Sequence, residues 1–159
     1  MTKTQTATTG FVASAALSTA LQQVLVDLIA LQLQAKNAHW NVTGAGFRSV
    51  HLLLDEVVDT VSGFADDVAE RMRALHATPD GRPGTVDASR QIGDLPAGEQ
   101  RVPTVLTTMT ELVVNAVEGV RTVHDAVDAE DPTTADLLHA VIQGLEEKAW
   151  MLRSENADH

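Results

Sequence analysis

Apolar residues return at three- and four-residue steps along four separate stretches of this chain. A repeat near 3.6 residues makes a helix with one apolar stripe, and such a stripe has to be buried against another. Leu17, Leu21, Val24, Leu28, Leu31, Ala35 and Ala38 mark a helix over about 15–42, stopped by Gly44 and Gly46. Leu54, Val57, Val61, Phe64, Val68, Met72 and Leu75 mark a second over about 47–76. Leu106, Met109, Val113, Ala116, Val120, Val123 and Val127 mark a third over about 104–129. Leu138, Ile142, Leu145, Ala149 and Leu152 mark a fourth, ending near Glu155. Asp131 is placed to cap that last helix, with Pro132 at its first position.

The connections are short, long and short. The long one, "TPDGRPGTVDASRQIGDLPAGEQRVP", is rich in Gly, Pro and Asp and has room for one short extra helix. Two short turns and one crossover give an up-down-down-up, all-α four-helix bundle, the ferritin-like arrangement. The expected organisation is a loose N-terminal tail over 1–13, the bundle over 14–156, and a short C-terminal end over 157–159. Hydrophobic residues make up 44% of the chain, enough for a packed core. No Cys is present, which excludes disulfides and thiolate metal sites. No 18-residue run is apolar throughout, and the apolar start continues as an amphipathic helix rather than a signal segment, so the expected compartment is the cytoplasm.

Polar residues on the second helix fall in a line. With His51 at zero, the helix pitch puts Asp55 near 40°, Asp66 near 60° and Glu70 near 100°, while the apolar stripe centres near 270°. The four side chains therefore face away from the bundle interior. Asp55 and Asp66 are also about 16 Å apart along the axis, so one ion cannot touch both. Two half-sites remain, His51 with Asp55 and Asp66 with Glu70, each at i, i+4 spacing. A second copy crossing antiparallel near Thr60–Ser62 would bring the halves together in two equivalent sites. Ser62 and Gly63 are small enough for that close approach, and His39 can lean across the short turn toward His51. Imidazole and carboxylate donors without thiolate suit Fe(II), Mn(II) or Zn(II). Taken singly, either pair reads more readily as a solvated surface pair. The same shell could also activate water in a metal-dependent hydrolase.

The segment "HWNVTGAGFRSVHLLLDE", followed by "DDVAER", resembles the Dps family, mini-ferritins named as DNA-binding proteins from starved cells. The likeness covers nearly the whole chain, including the crossover and "EKAWML". It implies Fe(II) oxidation at dimer interfaces, preferably by hydrogen peroxide rather than dioxygen, with ferric iron stored in a hollow homododecamer that protects against oxidative stress. On these positions the metal ligands would be His39, His51 and Asp55 of one chain with Asp66 and Glu70 of its neighbour, and iron would occupy two-fold-related sites at each dimer interface. Trp40 would be an accessory one-electron donor, although packing at the helix end is an equal reading. "DAEDPTTAD" resembles the segment lining the family's iron-entry pores, which makes Asp131, Asp136 and Asp128 candidates and Glu130 a weaker one. For Asp131 the helix cap is the competing role. Trp150 reads as core, and His76, His124, His139 and His159 as structural or exposed. Bundle ferritins instead carry Glu-x-x-His, and no Glu here has a His three residues later.

Net charge is −11 at neutral pH, the first thirteen residues hold only Lys3, and "SENADH" closes the chain. Phosphate affinity comes from basic contacts, so a nucleoid-compacting role is disfavoured and direct DNA binding is expected to be weak or absent.

Overall fold

The computed structural model describes residues 10–156. Most of the expected tail and the last three residues, His159 among them, lie outside the described residues. Four long helices and one short one follow in order: α1 (Ala15–Asn41), α2 (Phe47–Ala74), α3 (Pro83–Ser89), α4 (Val102–Glu130) and α5 (Pro132–Asn156). The short extra helix expected in the crossover is α3. Two strands of two residues each, β1 (Val42–Thr43) and β2 (Gln100–Arg101), pair in parallel, Val42 with Gln100 and Thr43 with Arg101. This pairing ties the start of α4 to the end of α1. It makes α4 antiparallel to α1 and parallel to α2, giving the up-down-down-up order.

The stripes read from the sequence are the core. Leu21, Leu31, Ala35 and Ala38 of α1, Leu54, Val57 and Val61 of α2, Leu106 and Met109 of α4, and Leu138 and Leu145 of α5 are fully buried. Phe64 is only partly buried and packs at the edge of the core. Its ring lies over Gly144, where a Cβ would sit 2.6 Å from the ring carbons. Trp150 is not core: it is 58% exposed, because Ala149 and Leu152 already fill the inward positions of that turn. By length and composition α1 would suffice to cross a bilayer. Its apolar stripe is instead covered by α2 and α4.

Helix ends are closed by polar pairs. The Ser14 hydroxyl accepts the Leu17 amide at 3.1 Å and donates to Glu130 at 2.6 Å, capping α1 while tying it to the end of α4. Gly46 begins α2 with φ of 76°, and Gly44 has φ of 109°, so the α1–α2 turn uses left-handed backbone that glycine adopts without penalty. Polar residues of α1 hold the crossover. The Gln22 amide donates to the Asp80 carbonyl at 2.8 Å, buried Asp27 accepts the Gln91 amide at 2.6 Å, and Gln34 accepts the Leu95 amide at 2.9 Å. These bonds satisfy loop backbone that would otherwise need water.

Candidate metal centre

The α1–α2 turn brings His39 and His51 face to face. Their ring centroids are 3.6 Å apart and the planes meet at 21°. His39 is buried and His51 half-buried. His39 Nδ1 is 2.8 Å from the His51 carbonyl oxygen, and His51 Nδ1 is 2.9 Å from the His39 carbonyl oxygen. A carbonyl only accepts, so each Nδ1 carries the proton and donates it. His39 sits in the last turn of α1, where carbonyls lack a helical partner, which is why its oxygen is free to accept. The two crossed bonds leave both Nε2 atoms with lone pairs, the form in which imidazole binds a cation. Phe47, one turn before His51, tilts against it with centroids 5.0 Å apart.

Asp55 stands beside this pair. Its Oδ1 is 3.3 Å from His39 Nδ1 and 2.6 Å from Lys36 Nζ. The Lys36 hydrogen bond, aided by the field of the histidines, holds the Asp55 carboxyl below its ordinary value. Lys36 escaped the sequence reading. The available signal was its place one turn before His39, on the same side of α1.

Asp66 and Glu70 are exposed further along α2. Asp66 borders a groove of about 560 Å³ that also takes in Leu25, Ile29, Ser62, Gly63 and Pro79. The residues expected at the close crossing of two copies thus line an open groove. Among the described residues, no three His, Asp or Glu side chains of one chain converge into a metal-sized cluster. The five candidate ligands stand as two separate groups, His39, His51 and Asp55 in one and Asp66 and Glu70 in the other.

Trp40 is 69% exposed, so it does not pack at the helix end within this chain. The pore candidates divide. Asp128 and Asp136 are exposed. Asp131 is buried, accepts from Arg71 at 2.7 Å and from the Thr134 hydroxyl, and so locks the α4–α5 turn onto α2. Burial alone would raise its carboxyl, but the Thr134 hydroxyl, the Arg71 guanidinium and the Thr133 amide outweigh that and hold it below the ordinary value. Glu130 is engaged by Ser14. His124 and His139, read as structural or exposed, are in ring contact across α4 and α5.

A four-helix bundle with this crossover and a pair of histidines at its first turn defines a ferritin-like protein, and residues 18–158 match the family model for the ferritin-like domain. The chain is 38% identical to DNA protection during starvation protein 2 of Deinococcus radiodurans over 85% of its own length, a match spanning 56% of that relative. It is 33% identical to the DNA protection during starvation protein of Mycolicibacterium smegmatis, over 84% of this chain and 73% of that one. The crystal structure of Dps92 from Deinococcus radiodurans superposes with a TM-score of 0.85 at 37% identity, covering 87% of this chain and 84% of that one. Within the ferritin-like class, the chain belongs to the Dps family.

Proposed function

We propose that this protein is a ferroxidase and iron store: a cytoplasmic homododecamer that oxidises Fe(II) at sites shared between two chains and keeps the ferric product inside. The observation that carries the reading is the crossed pair of hydrogen bonds between His39 and His51, which engages Nδ1 of each ring and leaves both Nε2 atoms unprotonated. Fe(II) is the substrate. His39, His51 and Asp55 would receive it from one chain, and Asp66 and Glu70 from the next. Carboxylates favour the Fe(III) product, so the same shell draws the reaction forward. With hydrogen peroxide as oxidant, two Fe(II) give one electron each, the O–O bond breaks, and two protons complete two waters. Dioxygen is the alternative oxidant.

Assembly is supported by apolar side chains that the single chain leaves open. Trp40, Phe47 and Leu52 cluster in sequence around the histidines and are exposed at 69%, 43% and 48%. Trp40, next in sequence to His39, would quench stray one-electron oxidants. Asp128 and Asp136 remain the pore candidates, with Asp131 serving the turn. Two relatives are named for DNA protection. With a net charge of −11, protection here would come from removing Fe(II) and peroxide, not from coating DNA.

The test is stopped-flow oxidation of Fe(II) by peroxide, read as ferric absorbance, with particle size followed in parallel. The wild-type protein oxidises rapidly and grows an iron core. The Asp66→Ala/Glu70→Ala protein folds but loses rapid oxidation; unchanged rates would overturn the reading.

A further inference from the structure

A second pair of histidines lies outside the centre described above. His124 of α4 and His139 of α5 face each other across the helix hairpin, centroids 4.4 Å apart and planes at 30°. Together with Arg121, Asp125 and Ile142 they line a cavity of about 140 Å³. His124 Nδ1 is 3.2 Å from Asp125 Oδ1, and His139 Nδ1 is 3.6 Å from Asp136 Oδ1. The Asp125 carboxylate at His124 Nδ1 keeps the proton there and leaves Nε2 of that ring as the donor atom toward a metal. His124 Nε2 is buried with no hydrogen-bond partner, the one such side-chain atom among the described residues. A buried polar atom without a partner is unfavourable unless something fills its place.

The spacing suits an ion. A metal held by an imidazole nitrogen at about 2.1 Å lies about 3.2 Å from the ring centroid, so two rings 4.4 Å apart subtend roughly 90° at a shared ion. Asp125 and Asp136 are exposed beside the pair, and their charge offsets that of a dication. Arg121, the one cationic side chain lining the cavity, is paired with Glu146.

We propose that His124 and His139 form a second metal site, bridging α4 and α5 within one chain. It takes a divalent transition ion of borderline hardness, Zn(II) or Co(II), held by the two imidazoles and completed by water, since no third His, Asp or Glu of the described residues converges there. This site needs no neighbouring chain and does not rest on the ferroxidase reading.

The experiment uses the assembled protein carrying His51→Ala, Asp66→Ala and Glu70→Ala, which dismantles the shared centre. Zn(II) is titrated by calorimetry and Co(II) by its visible absorption. One ion per chain is expected, with affinity at least tenfold weaker after His139→Ala. His139 is exposed, so that variant folds even where His124→Ala does not. Absence of a stoichiometric ion, or an ion held equally well by the His139→Ala protein, overturns the proposal.

Discussion

The two histidine pairs are built alike and anchored differently. Both bring together imidazoles from consecutive helices around a turn, stacked in the first pair and tilted in the second, and His39, His51 and His124 each engage Nδ1 so that Nε2 is left over. In His39/His51 the partners of Nδ1 are backbone carbonyls, fixed by the helices themselves. In His124/His139 the partner is the exposed side chain of Asp125 at His124 Nδ1, while Asp136 stands 3.6 Å from His139 Nδ1. A backbone anchor preorganises ligands for an ion that changes charge during reaction, whereas a side-chain anchor adapts to an ion that only binds. The first pair also has exposed apolar Trp40, Phe47 and Leu52 as near neighbours in sequence, while the second lines its own small cavity.

The largest effect should separate the pairs outright. Asp66→Ala/Glu70→Ala is expected to slow peroxide-driven Fe(II) oxidation by about 100-fold or more, judged against losses from removing mere supporting groups. Zn(II) binding at His124/His139 should be untouched. The converse substitution, His124→Ala/His139→Ala, should leave Fe(II) oxidation within about twofold and weaken Zn(II) about tenfold or more, on the same scale. Parallel losses in both assays would erase the distinction.

Asp131 tests whether the hairpin register matters to the second pair. Asp131→Ala removes the acceptor for Arg71 and Thr134 and should cost about 1–3 kcal/mol of stability, read by chemical denaturation. Asp128→Asn, at an exposed position, should leave stability unchanged and slow only iron uptake if that residue lines an entry pore.

The smallest effect concerns Lys36. Because Lys36 depresses the Asp55 carboxyl, the pair adds stability above the unfolded value of about 3.9 and loses it as pH falls through the lower folded value. An NMR titration of Lys36→Ala should show the Asp55 midpoint rising toward the ordinary carboxylate. An unmoved midpoint would mean the histidines alone hold it down.

Local repeats carried most of the fold into view. The stripes from Leu17 to Leu152 turned inward as their spacing required, and helix pitch alone put His51, Asp55, Asp66 and Glu70 on the outer side of α2. What stayed hidden depends on partners distant in sequence. Gln22, Asp27 and Gln34 bind crossover groups 58, 64 and 61 residues away, and no local pattern announces such pairs. His124 and His139 meet only because the turn at Asp131–Pro132 lies almost midway between them. Trp150 was misread since apolarity says that a side chain prefers burial, not that a neighbour has left it room. The role of Lys36 needed the tilt of α1 against α2, which spacing does not supply.

The separation of the five candidate ligands into two groups along α2 has a temporal consequence. On the ferroxidase reading, a newly made chain is inert toward iron until it meets its twin. The catalyst and the vessel that confines its product would come into being in the same event, so no rust forms where there is nowhere to put it.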